Sequence, residues 1–310
     1  MTTAFFTHTD GLEHDPGPFH PECPERLRAV LRALEHPDFV PLLREQSPLA
    51  TTEQLCLAHK ADYVHALLAL HPEPGERIQI DGDTVVSPGT MAAAKRQAGG
   101  ACAAVDAVME GWAHTGFVAS RPPGHHAERH RAMGFCFFNG AAVAALHARV
   151  RWGLQRVAVL DFDVHHGNGT QDIFQSDPDL LYVSSHQFPC YPGTGSLEER
   201  GVAGNVLNMP MPPGTDGADF RAAWEHIGLP AVLQFQPELI ILSAGFDAHR
   251  ADPLAELMLD TEDFGWLTDH ILATADAVCQ GRVVSVMEGG YDLGALAASA
   301  ALHVRRLMRQ

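Results

Sequence analysis

Cationic residues are scarce in this sequence, and their scarcity limits the partners that the protein can have. The 310 residues include 21 lysines and arginines against 38 aspartates and glutamates, which gives a formal net charge of −17. Nonspecific binding of nucleic acid needs clusters of basic residues on the protein surface, so the composition argues against a nucleic-acid partner. An acidic surface would suit a cationic partner, although such surfaces often serve only solubility.

Paired cysteines and long apolar runs are also missing. No C-x-x-C pair occurs, so the sequence offers neither a disulfide framework nor a structural zinc knuckle. No apolar run reaches the ~18 residues of a membrane-spanning helix. The opening segment MTTAFFTHTD lacks the basic region and apolar stretch of a secretory signal. We therefore expect a cytoplasmic protein without membrane contact, folded as one domain over residues 1–310.

Short apolar runs alternate with longer helical patterns along the chain. Five β-branched runs predict strands buried on both faces, at residues 116–120, 156–163, 180–185, 239–245 and 282–287. Five helical patterns alternate with them, at residues 90–110, 139–150, 219–228, 261–279 and 293–308. The alternation predicts an α/β fold with three α/β/α layers around a mostly parallel central sheet.

Four of the five predicted strands run directly into polar residues that can carry chemistry. These segments read RPPGHH from residue 121, DFDVHHGNG from 161, FDAH from 246 and EGGY from 288. In open parallel sheets, ligands bind outside the carboxyl ends of the strands. We therefore expect the four segments to converge in one crevice.

The segment at residues 161–169 contains candidate metal ligands. Asp161, Asp163 and His165 alternate along an extended chain, so their side chains share a face. Carboxylate oxygen and imidazole nitrogen both suit zinc, although solvated loop residues are the simpler interpretation of one short motif. A third ligand is needed, and Asp247 supplies a carboxylate from another strand end.

His166 and His249 compete with these residues as ligands. Three protein ligands with an open fourth position are typical of a catalytic metal. Two carboxylates and one imidazole form a hard ligand set, so iron(II) or cobalt(II) would also suit the site.

The adjacent histidines His125 and His126 raise a separate question. The sequence has 19 histidines, a count that favours metal or proton chemistry. Neighbouring imidazoles are awkward in a core, because each buried ring nitrogen needs its own partner. The pair could belong to a solvated loop, ligate a metal or transfer protons.

Eight short motifs follow one another along the chain. They read HPECPERL, RPPGHH, GFCFFN, DFDVHHGNGT, YVSSH, YPGTG, SAGFDAHRADPL and EGGYDL. In this order they resemble the motifs of the histone deacetylase family, and they span essentially the whole chain. Within that family the chain is similar to the class II-like bacterial histone deacetylase-like amidohydrolases. The resemblance implies the arginase-deacetylase fold and a metal-dependent amidohydrolase.

The resemblance also implies roles for single residues. Asp163, His165 and Asp247 match the zinc ligands. His126 matches the general base, and His125 its electrostatic partner.

Three further residues match positions of the family site. Asp161 would orient His125, Asn168 would take the corresponding position beside His126, and Tyr291 would polarise the substrate carbonyl. An amide stabilises an imidazolium less than a carboxylate does, so His126 should be easy to keep neutral.

The family also has a monovalent-cation site and a narrow substrate channel. A structural potassium site would involve Asp161, Asp163, His165, Ser184 and Ser185. The channel residues would be Phe135, Tyr191, Leu254 and Gly134. Without the resemblance, core or surface packing would be the simpler interpretation of the aromatic residues.

The implied activity is zinc-dependent removal of acetyl or other short acyl groups from N-ε-acyl-lysine of proteins or peptides. Acetylpolyamines and other small acyl-amines carry the same reacting group, so an acetylpolyamine amidohydrolase is the alternative. Polyamine-selective relatives have a glutamate where this chain has Leu254, which favours the acyl-lysine substrate.

Two other classes stay open, a ureohydrolase and a catalytically silent module that binds acyl-amines. A ureohydrolase would need a second set of aspartate ligands, and a silent module would be expected to have lost a catalytic residue. Partners could also include a second copy of the chain.

Overall fold

The computed structural model describes residues 2–309. Strands β1 to β10 are Thr3–Thr7, Leu43–Gln46, Ile78–Gln79, Val85–Val86, Thr115–Val118, Val157–Asp161, Leu180–Gln187, Val206–Met211, Leu239–Ala244 and Val283–Met287. Helices α1 to α10 are Pro24–Ala33, Thr52–Ala58, Ala61–Leu68, Thr90–Glu110, Gly140–Trp152, Asn168–Phe174, Gly217–Ala223, Leu229–Phe235, Thr261–Cys279 and Leu293–Leu307. None of these helices is both long and apolar enough to cross a bilayer.

Eight strands form one parallel sheet in the order β2-β1-β5-β10-β9-β6-β7-β8. Strands β3 and β4 pair separately as a short antiparallel ribbon. In the central strand β9, Ile240 and Leu242 pack on one face while Leu239 and Ile241 pack on the other. Continuous apolarity in such strands therefore reflects burial on both faces.

Helices cover both faces of the sheet. Helices α1 and α7 to α10 pack on the Ile240 face, and α2 to α6 pack on the Ile241 face. This arrangement confirms the predicted three-layer α/β/α fold. The helix predicted at residues 219–228 is helical throughout, but its second half is a π-helical turn at Trp224–Gly228.

The topology places the polar segments next to one another. They follow β5, β6, β9 and β10, which are neighbours in the order β5-β10-β9-β6. Because all eight strands are parallel, these segments leave the sheet at the same edge.

Candidate active site

Asp163, His165 and Asp247 form a buried cluster at this edge. Their candidate ligand atoms all lie within 4.8 Å of one another. His165 Nδ1 lies 3.1 Å from Asp163 Oδ1 and 3.2 Å from Asp247 Oδ2. Burial and the neighbouring Asp163 carboxylate raise the pKa of Asp247 to about 7. Two buried carboxylates that repel each other around an imidazole fit a divalent cation.

The two competing histidines lie outside this cluster. His166 Nδ1 lies 2.8 Å from Thr194 Oγ1, and its Nε2 lies 3.0 Å from Gln171 Oε1. His249 Nδ1 accepts a hydrogen bond from the backbone N–H of Ala251 at 3.1 Å. Both rings are thus committed to neighbouring groups.

The His125 ring lies next to two buried carboxylates. Its Nδ1 lies 3.0 Å from Asp161 Oδ2, and the Tyr182 hydroxyl donates to the same oxygen at 2.9 Å. Burial lowers the pKa of His125, but the Asp163 and Asp161 carboxylates outweigh it and raise that pKa to about 10. A metal bound at Asp163 would oppose part of this rise.

His126 has the opposite environment. Its ring lies 4.0 Å from the His125 ring between centroids, and its Nδ1 lies 2.8 Å from Asn168 Oδ1. Asn168 Nδ2 donates to Glu128 Oε1 at 2.8 Å, which turns the amide oxygen towards His126. Burial, followed by the charges of His125 and His165, lowers the pKa of His126 well below its usual value. His126 is therefore neutral, with the proton on Nδ1 and Nε2 free to accept one.

A cavity of about 230 Å³ reaches His126 and the candidate ligand His165. Its walls are Asp83, His126, Gly134, Phe135, His165, Tyr191, Leu254 and Tyr291. All four predicted channel residues are among them, together with two predicted catalytic residues. Gly134 has a φ of +56°, and a Cβ there would come within 2.5 Å of His126 Cδ2. Only glycine fits this position without displacing the ring.

Tyr291 lines the same cavity as His126 and His165. Its ring lies 5.8 Å from the Phe135 ring. Burial raises the pKa of the Tyr291 hydroxyl well above its usual value, so the hydroxyl keeps its proton and can donate it in a hydrogen bond.

Sequence reasoning missed a buried ion-pair network beneath Tyr291. The Glu22 carboxylate accepts from Arg121 Nε at 2.7 Å, Arg121 Nη2 at 2.6 Å and Arg26 Nη1 at 3.1 Å. Arg26 also donates to the Gly290 carbonyl at 2.6 Å, and its guanidinium lies 4.7 Å from the centre of the Tyr291 ring. These residues lie inside the HPECPERL and RPPGHH motifs, which was the only sequence signal for them.

Asp83 was also missed, although its side chain lines the cavity. The Thr84 hydroxyl donates to it at 3.0 Å, and burial followed by the neighbouring Asp81 raises its pKa. Among the described residues 2–309, Asp83 is the one acidic residue in the wall of this cavity.

The two serines of the predicted cation site point their side chains in opposite directions. Asp161 and Ser184 are direct neighbours on β6 and β7, so their side chains share a face. Ser185 faces the other way, and its hydroxyl accepts from Trp224 Nε1 at 3.1 Å. Ser185 could therefore offer a cation only its backbone oxygen.

Comparison with known proteins assigns the chain to a family. The histone deacetylase domain matches residues 20–307. The histone deacetylase-like amidohydrolase of Pseudomonas aeruginosa is 40% identical over 312 aligned residues, covering 94% of this chain and 82% of that protein. Polyamine deacetylase HDAC10 of Mus musculus is 37% identical over 326 residues, covering 99% of this chain and 48% of that protein.

A solved structure agrees with these relatives. The HD domain of HDA15 superposes with a TM-score of 0.92 at 33% identity, covering 100% of this chain and 88% of that chain. The chain belongs to the histone deacetylase family. It is accordingly a hydrolase of the deacetylase and amidohydrolase type.

Proposed function

We propose that the protein is a zinc-dependent amidohydrolase that removes acetyl or other short acyl groups from N-ε-acyl-lysine of proteins or peptides. The observation that carries this proposal is a cavity that is lined by His165 of the Asp163–His165–Asp247 cluster and has Phe135, Tyr191 and Leu254 among its walls. Such a cavity suits a linear, uncharged acyl-amine stem, because an unpaired ammonium against apolar walls would be costly to desolvate.

The metal would be held by Asp163, His165 and Asp247. Once bound, it would act as a Lewis acid on the amide carbonyl and make water a better nucleophile at neutral pH. Zinc suits this ligand set, and iron(II) would suit it as well.

The chain's own side chains would handle the protons. Neutral His126 would take a proton from the attacking water at Nε2 and return one to the leaving amine. His125, charged beside Asp161, would stabilise developing negative charge. The Tyr291 hydroxyl would donate to the oxyanion that forms on the carbonyl oxygen.

A potassium ion would bind at the carboxyl ends of the strands, behind the metal ligands. It would be held by the Asp161 carboxylate, backbone oxygens of Asp163, His165 and Ser185, and Ser184. The cross-strand pairing of Asp161 with Ser184 supports this assignment.

One observation favours an acetylpolyamine as the second candidate substrate. The Asp83 carboxylate lines the cavity and could pair with an ammonium of a polyamine. A relative named as a polyamine deacetylase is consistent with this alternative. Against it, Leu254 is an apolar residue 36% exposed at the cavity.

The experiment compares kcat/KM for an acetyl-lysine peptide and for acetylspermidine in the parent, Leu254→Glu and Leu254→Gln. Leu254→Glu should shift the ratio towards acetylspermidine, because the new charge attracts the polyamine and adds a desolvation cost for the neutral stem. Glutamine has nearly the same shape as glutamate but carries no charge. We therefore expect Leu254→Gln to lower kcat/KM for both substrates alike.

A parent that already favours acetylspermidine would overturn the substrate assignment. In that case Asp83→Asn should lower kcat/KM for acetylspermidine more than for the peptide. An unaltered ratio in Leu254→Glu would mean that Leu254 does not select the substrate.

A further inference from the structure

We propose that Asp252 is a positioning residue that holds Tyr291 and Leu254 in place on their side of the cavity. Asp252 is buried, with only 7% of the residue exposed. Asp252 Oδ2 accepts from the backbone N–H of Tyr291 at 2.7 Å and of Asp292 at 3.3 Å. Asp252 Oδ1 accepts from the backbone N–H of Leu254 at 3.0 Å. This inference rests on the roles proposed above for Tyr291 and Leu254.

The partners of this carboxylate are unusual for a buried acid. Within residues 2–309 no lysine, arginine or histidine pairs with it, and its bonds all come from backbone N–H groups. A carboxylate has an acceptor on both sides, whereas an amide would present its NH₂ group to one set of N–H donors. Only an acid therefore holds the loop after β9 and the loop after β10 together.

Asp252 and Arg26 together form hydrogen bonds to both polar atoms of one peptide group. The carbonyl of the Gly290–Tyr291 peptide accepts from Arg26 Nε at 2.6 Å, and the N–H of the same peptide donates to Asp252 at 2.7 Å. Gly290 has a φ of +125°, a conformation that glycine leaves easily because it lacks a Cβ. Held at both ends, this peptide cannot rotate, and the direction of the Tyr291 side chain is fixed.

The matched control for Asp252 is Asp216. The Asp216 carboxylate also accepts two backbone N–H bonds, from Ala218 at 3.0 Å and Asp219 at 3.2 Å, where it caps α7 away from the cavity walls. Asp252→Ala and Asp216→Ala thus both remove an acid that binds backbone N–H groups. Only the first of these changes should affect turnover.

The test measures kcat, KM and zinc content for both alanine variants in zinc-loaded protein, with the acetyl-lysine peptide as substrate. We expect Asp252→Ala to lower kcat by roughly 10²-fold at unchanged zinc content, since small displacements of a reacting group cost that much. Asp216→Ala should keep the parent kcat. In the Tyr291→Phe background, Asp252→Ala should lower kcat by less than about threefold further, because residues that act as a unit are not additive.

Three outcomes would overturn the proposal. The first is an Asp252→Ala variant that turns over like Asp216→Ala. The second is a loss of kcat that is as large in the Tyr291→Phe background as in the parent. The third is a loss explained by missing zinc. If the parent hydrolyses acetylspermidine but no acyl-lysine peptide, the proposed substrate fails while the same comparison, run with acetylspermidine, still decides the role of Asp252.

Discussion

Replacing Glu22 with glutamine should destabilise the protein strongly, although the side chain keeps its shape. The Glu22 carboxylate and the guanidinium groups of Arg121 and Arg26 are completely buried. An amide carries no charge and has one acceptor atom, so both arginines would lose their counter-ion. Leaving a buried charge without its partner costs about 3–5 kcal/mol, and we expect a loss of that size in the free energy of unfolding.

Glu25→Gln is the matched control, three residues away at the start of α1. Glu25 pairs with Arg28, and both side chains are about half exposed. An exposed pair of this kind contributes about 0–1 kcal/mol. Chemical denaturation of both variants at neutral pH gives the comparison. A Glu22→Gln variant within about 1 kcal/mol of the parent would refute the reasoning.

The same variant has a pH signature. Burial raises the pKa of Glu22, but the attraction of Arg121, His14 and Arg26 outweighs it and holds the pKa well below its usual value of 4.5. Stability from a lowered carboxyl pKa is present above the unfolded-state pKa and is lost as the pH falls towards the folded-state pKa. The difference in unfolding free energy between parent and Glu22→Gln should therefore be largest at neutral pH and shrink below about pH 4.5.

Two further predictions concern the site. Tyr291→Phe should fold, keep its metal and lose roughly 10²–10³-fold in kcat, and unchanged turnover would contradict the role of the hydroxyl. Asp247→Ala should lose the roughly one equivalent of zinc that elemental analysis finds in the parent, and equal metal retention would contradict the ligand assignment.

Sequence patterns predicted the centre of the sheet better than its edges. Strands β5, β6, β7, β9 and β10 are buried on both faces, so each reads as an apolar run. The edge strand Leu43–Gln46 has the sequence LREQ and is largely exposed. The opposite edge strand, Val206–Met211, contains Asn208 and Pro210. A strand that is paired on one side needs no continuous apolarity, and its sequence therefore carries a weaker signal.

The candidate site shows a similar division. Residues that follow a strand directly, such as Asp163 and Asp247, are placed by the topology and were predicted from it. Arg121 and Glu22 lie 99 positions apart in sequence, and no local pattern encodes such a contact. The opposite directions of the Ser184 and Ser185 side chains, unlike that contact, can be predicted from local sequence. Side chains alternate between the two faces of a strand with a period of two residues.

The strand order also makes one late strand the link between the two halves of the site. Strand β10 is the last strand of residues 2–309, yet it lies in the middle of the sheet between β5 and β9. On one side, β5 leads to His125 and His126, whereas β6 and β9 on the other side lead to the Asp163–His165–Asp247 cluster. Within residues 2–309, β10 is the only strand whose pairing joins these two half-sheets. The ligand cluster therefore lies in one half-sheet and the paired histidines in the other, and the strand pairing of β10 holds the two parts of the site together.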